Sequence, residues 1–291
     1  MHKFLIVTAD DFGLHEAVND AIEQACRAGV LTAASLMIAA PAAADAVRRA
    51  RALPQLRTGL HLVLADGWAA LDARLIPALT DASGRFGDRM VVRGLRYYLL
   101  PHVRRQLEAE IRAQYHAFAR TGLVLDHVNV HKHFHLHPSL LEMLLRIGRD
   151  YGVTAVRVPD EPLWFSVRGG AWVWGPASRT LLAPWVSRMK RRLRAAGVAY
   201  NDHIFGIACS GCMDERRLIE ILSRLPPGAT EIYLHPATES GSAVADSMRG
   251  YRHADELAAL LAPRVLAAVT AAAVPRGGYR DMIRARLAHA A

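Results

Sequence analysis

Between residues 127 and 137 the chain reads HVNVHKHFHLH. Five of its 14 histidines fall there on odd-numbered positions: His127, His131, His133, His135 and His137. Imidazole is the commonest protein ligand for Zn, Cu, Fe and Ni. This density of neutral nitrogen donors therefore points to a metal or to acid–base catalysis. Val128, Val130, Lys132, Phe134 and Leu136 fill the intervening positions. On a strand, alternation would set the imidazoles along one face. On a helix His131 and His135 would still meet, being four residues apart. An expression tag is contiguous and terminal, whereas this run is internal and interleaved with apolar residues. Other polar groups stand at strand-like segments elsewhere. Asp10 and Asp11 follow FLIVTA (4–9), His61 lies within TGLHLVL (58–64), and His235 follows the segment 231–234. An isolated histidine in an apolar strand is ordinarily a satisfied core residue. With polar groups offered at three other strand ends, a convergent site accounts better for His61.

The elements that must position these groups follow from periodicity. Residues 4–9 are apolar almost throughout, as buried parallel strands are. A helix over about 15–29 follows, with Ala17, Val18, Ala21, Ile22 and Ala25 as its inner stripe and Gly29 as its stop. Strand 32–38, an Ala-rich helix 42–52 and strand 58–64 come next. Residues 67–101 read as an inserted loop region, followed by helix 103–121, strand 124–130 and the histidine run. Pro138 should begin the next helix, since proline is favoured at a first helical position. Then come strand 154–158, an irregular 159–177, a basic helix near 179–196, a strand near 203–208, helix 214–224 and strand 231–234. The remainder is mostly helical to about 270. Alternating strands and helices argue for parallel βα units, hence an α/β barrel or a doubly wound sheet. In both, sites form at the C-terminal ends of strands, where Asp10, Asp11, His131 and His235 fall.

Composition sets the outer bounds. Hydrophobic residues make up 52% of 291, enough for a buried core and too many for disorder. No apolar run approaches the roughly 18 residues of a membrane span, and MHKFLIVTADDFG reads as a first strand, not a signal peptide. The cysteines are Cys26, Cys209 and Cys212. The odd count argues against a disulfide framework, and a lone Cys209-x-x-Cys212 makes a poor structural zinc site. A net charge of +9 calls for an anionic neighbour or reflects a solvated Arg-rich surface. No nucleic-acid motif is present.

ADDFG (9–13), the GLHLVL strand, HVNVHKHFHLHP and LHPA (234–237) together resemble, in order and spacing, the YdjC-like carbohydrate deacetylases. The similarity runs from the first strand to past residue 237. Within that family the histidine block is more similar to the hopanoid biosynthesis-associated, HpnK-type branch than to the chitooligosaccharide deacetylases. The resemblance implies a deformed (β/α) TIM-like barrel, here a single domain over 1–291 with insertions near 67–101 and 159–177. It implies a divalent metal, Zn or Mg, held by Asp11, His61 and His131. Asp10 matches the position of the general base, and His235 that of an acid or transition-state stabiliser. Two positions depart from the family's usual pattern: Asn129 stands where an Asp is common, and Lys132 where a His is frequent.

The implied chemistry is hydrolysis of an amide C–N bond. One Asp and two His leave coordination positions open, as catalytic metals require. Mixed donors suit Zn, Mn, Co or Fe, while Mg prefers oxygen. Asn129, His133, His135 and His137 are expected to line a sugar pocket or to orient the ligands. Four of the five Trp fall at 164, 172, 174 and 185, among basic residues and beside Leu181, Leu182, Val186, Met189 and Leu193. The segment 164–194 thus reads as a surface for an anionic membrane, with a second basic stretch at 93–105. The expected substrate is an N-acetylglucosaminyl group on a hopanoid lipid, met at the cytoplasmic face of a membrane. A soluble chitooligosaccharide, or an accessory protein that binds metal without turnover, are the alternatives.

Overall fold

A computed structural model describes residues 3–166, 176–241 and 244–289. The chain begins with β1 (Phe4–Phe12), α1 (Glu16–Ala28), β2 (Ala33–Leu36), α2 (Ala43–Arg51) and β3 (Arg57–Leu62). A short antiparallel hairpin of β4 (Gly67–Trp68) and β5 (Arg85–Phe86) leads into α3 (Met90–Leu99) and α4 (Pro101–Arg120). Next come β6 (Val128–Val130), a 3₁₀ turn over His131–Leu136, α5 (Pro138–Asp150), α6 (Leu163–Ser166) and α7 (Pro176–Ala195). The chain ends with β7 (His203–Phe205), α8 (Glu215–Ser223), β8 (Ala229–Leu234), α9 (His253–Leu261), α10 (Pro263–Ala272) and α11 (Tyr279–Ala288).

Six strands form one parallel sheet in the order β6-β3-β2-β1-β8-β7. Two irregular segments curl it towards closure. Beside β6, the Val128 amide donates to Ala155 and the Arg157 amide to Val128. The Val156 amide then donates to Ala199, and the Ile204 amide to Asp160, on the segment that continues into β7. Asn201 spans the same seam, accepting from the Val158 amide and donating to its carbonyl. The architecture is a deformed α/β barrel of the TIM-like kind.

Alternation along β1 explains both its inner and outer packing. Leu5, Val7 and Ala9 face out and pack with Val18 and Ile22 of α1. Phe4 and Ile6 face in, meeting Tyr279 and Met282 of α11 at the barrel floor. Burying such aliphatic side chains contributes on the order of 1.5–3 kcal/mol each. Above this floor the interior turns polar, with Thr8, Ser35, Asn129, Arg157 and Glu231 all buried.

Several expectations are corrected here. The histidine run is neither a regular strand nor an α-helix: after three residues of β6 the chain enters a kinked 3₁₀ turn with Lys132 and His133 at φ 56° and 54°. The 67–101 region is a hairpin followed by a full helix. Residues 154–158 pair only at isolated bridges. Three of the apolar residues assigned to a membrane face of α7, namely Val186, Met189 and Leu193, are buried in the core. Trp164 packs against Phe165 and Phe205, and the Trp185 indole N–H donates to the Leu136 carbonyl. Trp172, Trp174 and the rest of 167–175, within the irregular 159–177 stretch, lie outside the described residues.

Candidate metal centre

Two consecutive aspartates can share one mouth only if the strand's alternation is broken. Asp11 does this, with φ 63° and a register shift between Ala9 and Phe12 in the pairing with β2. A bulge of this kind re-aims a side chain where a regular strand would send it to the opposite face. Aspartate tolerates the left-handed region better than most residues, and Gly13, at φ 91°, completes the turn into α1.

Asp11 Oδ1, His61 Nε2 and His131 Nδ1 form a nearly equilateral triangle. Its edges are 3.3 Å (Asp11–His61), 3.4 Å (Asp11–His131) and 3.2 Å (His61–His131). Ligands at ~2.1 Å around a tetrahedral ion are separated by roughly 3.4 Å, so the three atoms match one face of such a shell. Among the described residues this is the one group of three or more His, Cys, Asp or Glu with metal-holding geometry. Both Asp11 carboxylate oxygens are buried and accept no hydrogen bond. Burial acts to raise the Asp11 carboxyl, but the imidazoles of His131, His61 and His235 outweigh it and hold the group well below the carboxylate range. Burial acts to lower the His61 imidazole, but Asp10 and Asp11 together raise it. Two carboxylates beside two imidazoles make a place that demands positive charge, and a divalent cation fits it.

Asp10 looks into the barrel beside this triangle. Arg157 grips both its oxygens, at 2.5 and 2.9 Å, and the Asn129 amide donates at 3.1 Å. Burial would raise this carboxyl, yet Arg157 above all, with His61 and His235, holds it below the ordinary range. Arg157 is itself fully buried, pairs with Glu231 at 2.8 Å, and lies over the Tyr233 ring. His235 stands across the mouth, with Nε2 4.0 Å from Asp11 Oδ2 and no hydrogen bond at Nδ1. Its backbone is clamped: the amide donates to Glu256 at 2.5 Å, and His253 Nδ1 donates to its carbonyl. Burial pushes the His235 imidazole down to about 4, against the pull of Asp11 and Asp10.

The remaining histidines of the run separate. Asn129 Oδ1 accepts from His61 Nδ1 at 2.7 Å, so it touches a candidate ligand directly. His133 reaches Tyr233 Oη at 3.1 Å, and Tyr233 packs edge-on against His235. His135 is fully buried and donates from Nε2 to the Arg157 carbonyl at 2.9 Å, so it braces the strand-like segment. His137 is half-buried against Tyr98 and Phe134, towards α3 and away from the triangle. His127 points to the opposite end of β6, onto Asp126. Lys132, in the left-handed turn, pairs with Asp66 at 2.5 Å and so pins the turn to the loop after β3.

Sequence reasoning passed over Arg157, Glu231, Tyr233 and Glu256. A signal existed for two of them: a charged residue inside an apolar strand, as in TAVRV (154–158) and ATEIYL (229–234), is almost never fully buried without a partner. Cys209 and Cys212 are both free thiols. Cys209 lies within hydrogen-bonding reach of Cys212, which lowers the Cys212 thiol to about 6. Neither cysteine belongs to the metal-holding group.

The model of the YdjC-like protein family matches residues 4–271. The chain belongs to this family. A carbohydrate deacetylase from Geobacillus stearothermophilus is 29% identical over 288 residues, covering 98% of this chain and all of that protein. A carbohydrate deacetylase from Brevibacillus brevis is 40% identical over 155 residues, which span 53% of this chain and 59% of that protein's length. In a solved structure of a proposed cellobiose-phosphate cleavage protein from Enterococcus faecalis V583, the same fold recurs. The TM-score is 0.76 at 23% identity, over 97% of this chain and 99% of that one. Among the described residues, no helix is long and apolar enough to cross a membrane.

Proposed function

We propose that this YdjC-like protein is a metal-dependent hydrolase that removes the acetyl group from an N-acetylglucosaminyl unit, the sugar being carried on a hopanoid-type lipid. The observation that carries the reading is the Asp11–His61–His131 triangle, with its unpartnered carboxylate, set between Asp10 and His235. The relatives' name, carbohydrate deacetylase, gives the substrate class.

Asp11, His61 and His131 would hold the cation, which when bound would act as a Lewis acid towards an amide carbonyl and would acidify water. Asp10 takes the proton of the attacking water. Arg157 and Asn129 fix its carboxylate towards the mouth and leave lone pairs free. His235 hands to the departing amine the proton that Asp10 takes from the water: with its imidazole lowered to about 4 it is neutral at rest, so it can accept that proton, and it is a strong acid once protonated. Tyr233 sets the position of the His235 ring, and the buried walls exclude bulk water from the charged groups.

The lipid part rests on a groove of about 540 Å³ beside the histidine turn. Met90, Leu95 and Tyr98 of α3, Phe134 and Leu136 of the turn, and Leu182 of α7 line it, together with Lys132 and His133. Leu95, Tyr98, Leu99 and Leu181 are 58–81% exposed around its rim, and Arg96, Arg104, Arg188 and Arg191 are exposed nearby. An apolar patch with a basic border suits a lipid tail and an anionic headgroup layer. This shifts the membrane-facing part from the apolar stripe of α7 to α3 and the start of α7.

Acetate release from an N-acetylglucosaminyl hopanoid, with and without EDTA, tests the proposal. Chelator-sensitive release is expected, together with flotation of the protein on anionic vesicles that Leu95→Asp abolishes. Release from diacetylchitobiose alone would remove the lipid from the reading. Bound metal with no release from any acetylated sugar would overturn the reaction.

A further inference from the structure

A chain of buried hydrogen bonds runs from the barrel floor to the candidate metal ligand His61, and its direction can be read from which groups can only accept. Asp126 stands at the N-terminus of α11, accepting from the amides of Tyr279 and Arg280 at 2.9 Å each. Its carboxylate also meets His127 Nδ1 at 2.9 Å. A carboxylate cannot donate, so His127 bears its proton on Nδ1 and offers a lone pair at Nε2. The Ser35 hydroxyl, 3.0 Å from that Nε2, donates to it. Ser35 then presents only a lone pair to Asn129 Nδ2, at 2.9 Å. The second proton of that amide goes to Asp10 Oδ1, again an acceptor only. The Asn129 oxygen is left facing His61 Nδ1 at 2.7 Å, so His61 carries its proton there and turns a bare Nε2 towards Asp11 and His131.

We infer that Asp126, His127 and Ser35 are positioning residues that lock the orientation of the Asn129 amide, and through it the metal-ready tautomer of His61. Asp126, His127, Ser35, Asn129 and His61 are each no more than 2% exposed, so no solvent competes along the chain. The packing guards it as well. A Cβ on Gly59 would lie 2.5 Å from the His127 ring, which also stacks on Tyr279 at a 4.9 Å centroid separation. Partners of this kind fix ring orientation and ligand basicity. The arrangement also gives Asn129 a function that an Asp at its position would lack, because a carboxylate there could not donate to both Asp10 and Ser35.

The inference rests on the reading that His61 is a metal ligand, and its test separates the two. Zn²⁺ affinity is measured by calorimetry on the full chain, together with the downfield His61 Nδ1–H proton resonance. Ser35→Ala removes one oxygen and leaves the fold's apolar packing intact. His127→Phe keeps a ring against Gly59 and Tyr279. Both are expected to weaken Zn²⁺ binding by roughly 10–100-fold, and to shift and broaden the His61 proton resonance. Unchanged affinity and an unchanged resonance in Ser35→Ala overturn the inference, whatever happens to its melting temperature. If the wild-type chain binds no Zn²⁺, the metal reading fails. The relay is then judged on the metal-free His61 resonance alone, which a Ser35→Ala change must move.

Discussion

The mouth of the barrel and the layer beneath it treat buried charge in opposite ways. Below, Glu231 accepts from Thr8 at 2.6 Å, from Tyr279 at 2.6 Å and from Arg157 through two nitrogens. Asp126 has two backbone amides and His127. At the mouth, Asp11 accepts no hydrogen bond at either oxygen, and His235 Nδ1 has no partner. Burying an ionised group without partners costs several kcal/mol. The lower layer offsets that cost with hydrogen bonds, whereas at the mouth Asp11 has only imidazoles nearby, at 3.3 and 3.4 Å. A buried carboxylate left without hydrogen bonds could take a cation from outside, and the backbone strain at Asp11 and His133 falls in the same place. Asp10 and Asn129 join the two: their inner atoms belong to the saturated layer and their outer neighbours to the open one.

If this division holds, substitutions in the two regions should separate activity from stability. The largest effect is expected at the mouth. Asp11→Ala, or exhaustive chelation, should lower acetate release by roughly 10³-fold, since a Lewis acid supplies several kcal/mol to the transition state. The metal-free variant should melt close to the metal-free wild type, and a collapse of its stability would erase the contrast. Asp10→Asn should cost about 10²–10⁴ in kcat, the usual range for a general base, with metal content by elemental analysis unchanged. Retained turnover would end the base assignment. In the lower layer, Arg157→Leu leaves Asp10 and Glu231 as buried charges without their counter-ion. Urea denaturation should show a loss of about 3–5 kcal/mol, far more than Asp11→Ala. Gly59→Ala drives a methyl into the His127 ring and should cost about 1–3 kcal/mol, with Zn²⁺ affinity reporting whether the ring has moved.

The smallest effect is a slope. Burial holds His135 down to about 4, while in the unfolded chain it titrates near 6.5. The unfolded state therefore takes up a proton first, and this contribution to stability is present above pH 6.5 and lost as pH falls through about 4. His135→Gln keeps a donor for the Arg157 carbonyl but does not titrate. Between pH 6.5 and 4.5 the metal-free variant should lose stability less steeply than wild type, by up to about 1.4 kcal/mol per pH unit. Parallel slopes would mean that His135 is not held neutral.

Much of the scaffold was legible because burial writes a local pattern. FLIVTA, TAASLMI and TGLHLVL are apolar enough to be parallel strands, and the ends of the strands named Asp10, Asp11, His131 and His235 as neighbours. Gly29 and Pro138 marked helix boundaries for equally local reasons. The histidine run resisted this reading. Alternation suggested one face, but positive φ at Lys132 and His133 sends the rings to different places: His131 to the triangle, His133 to Tyr233, and His135 to the Arg157 carbonyl. The apolar residues of α7 likewise could not reveal which of them the core would claim.

The sequence by itself determined which residues were available for chemistry and which strands would carry them. The tertiary structure alone decided which groups would be satisfied. Asn129 meets Asp10 across 119 residues, and Arg157 meets it across 147. No spacing rule reaches that far. Whether a buried carboxylate is satisfied depends on the donors that the folded barrel brings to it, and those donors come from segments that only the curled sheet makes adjacent.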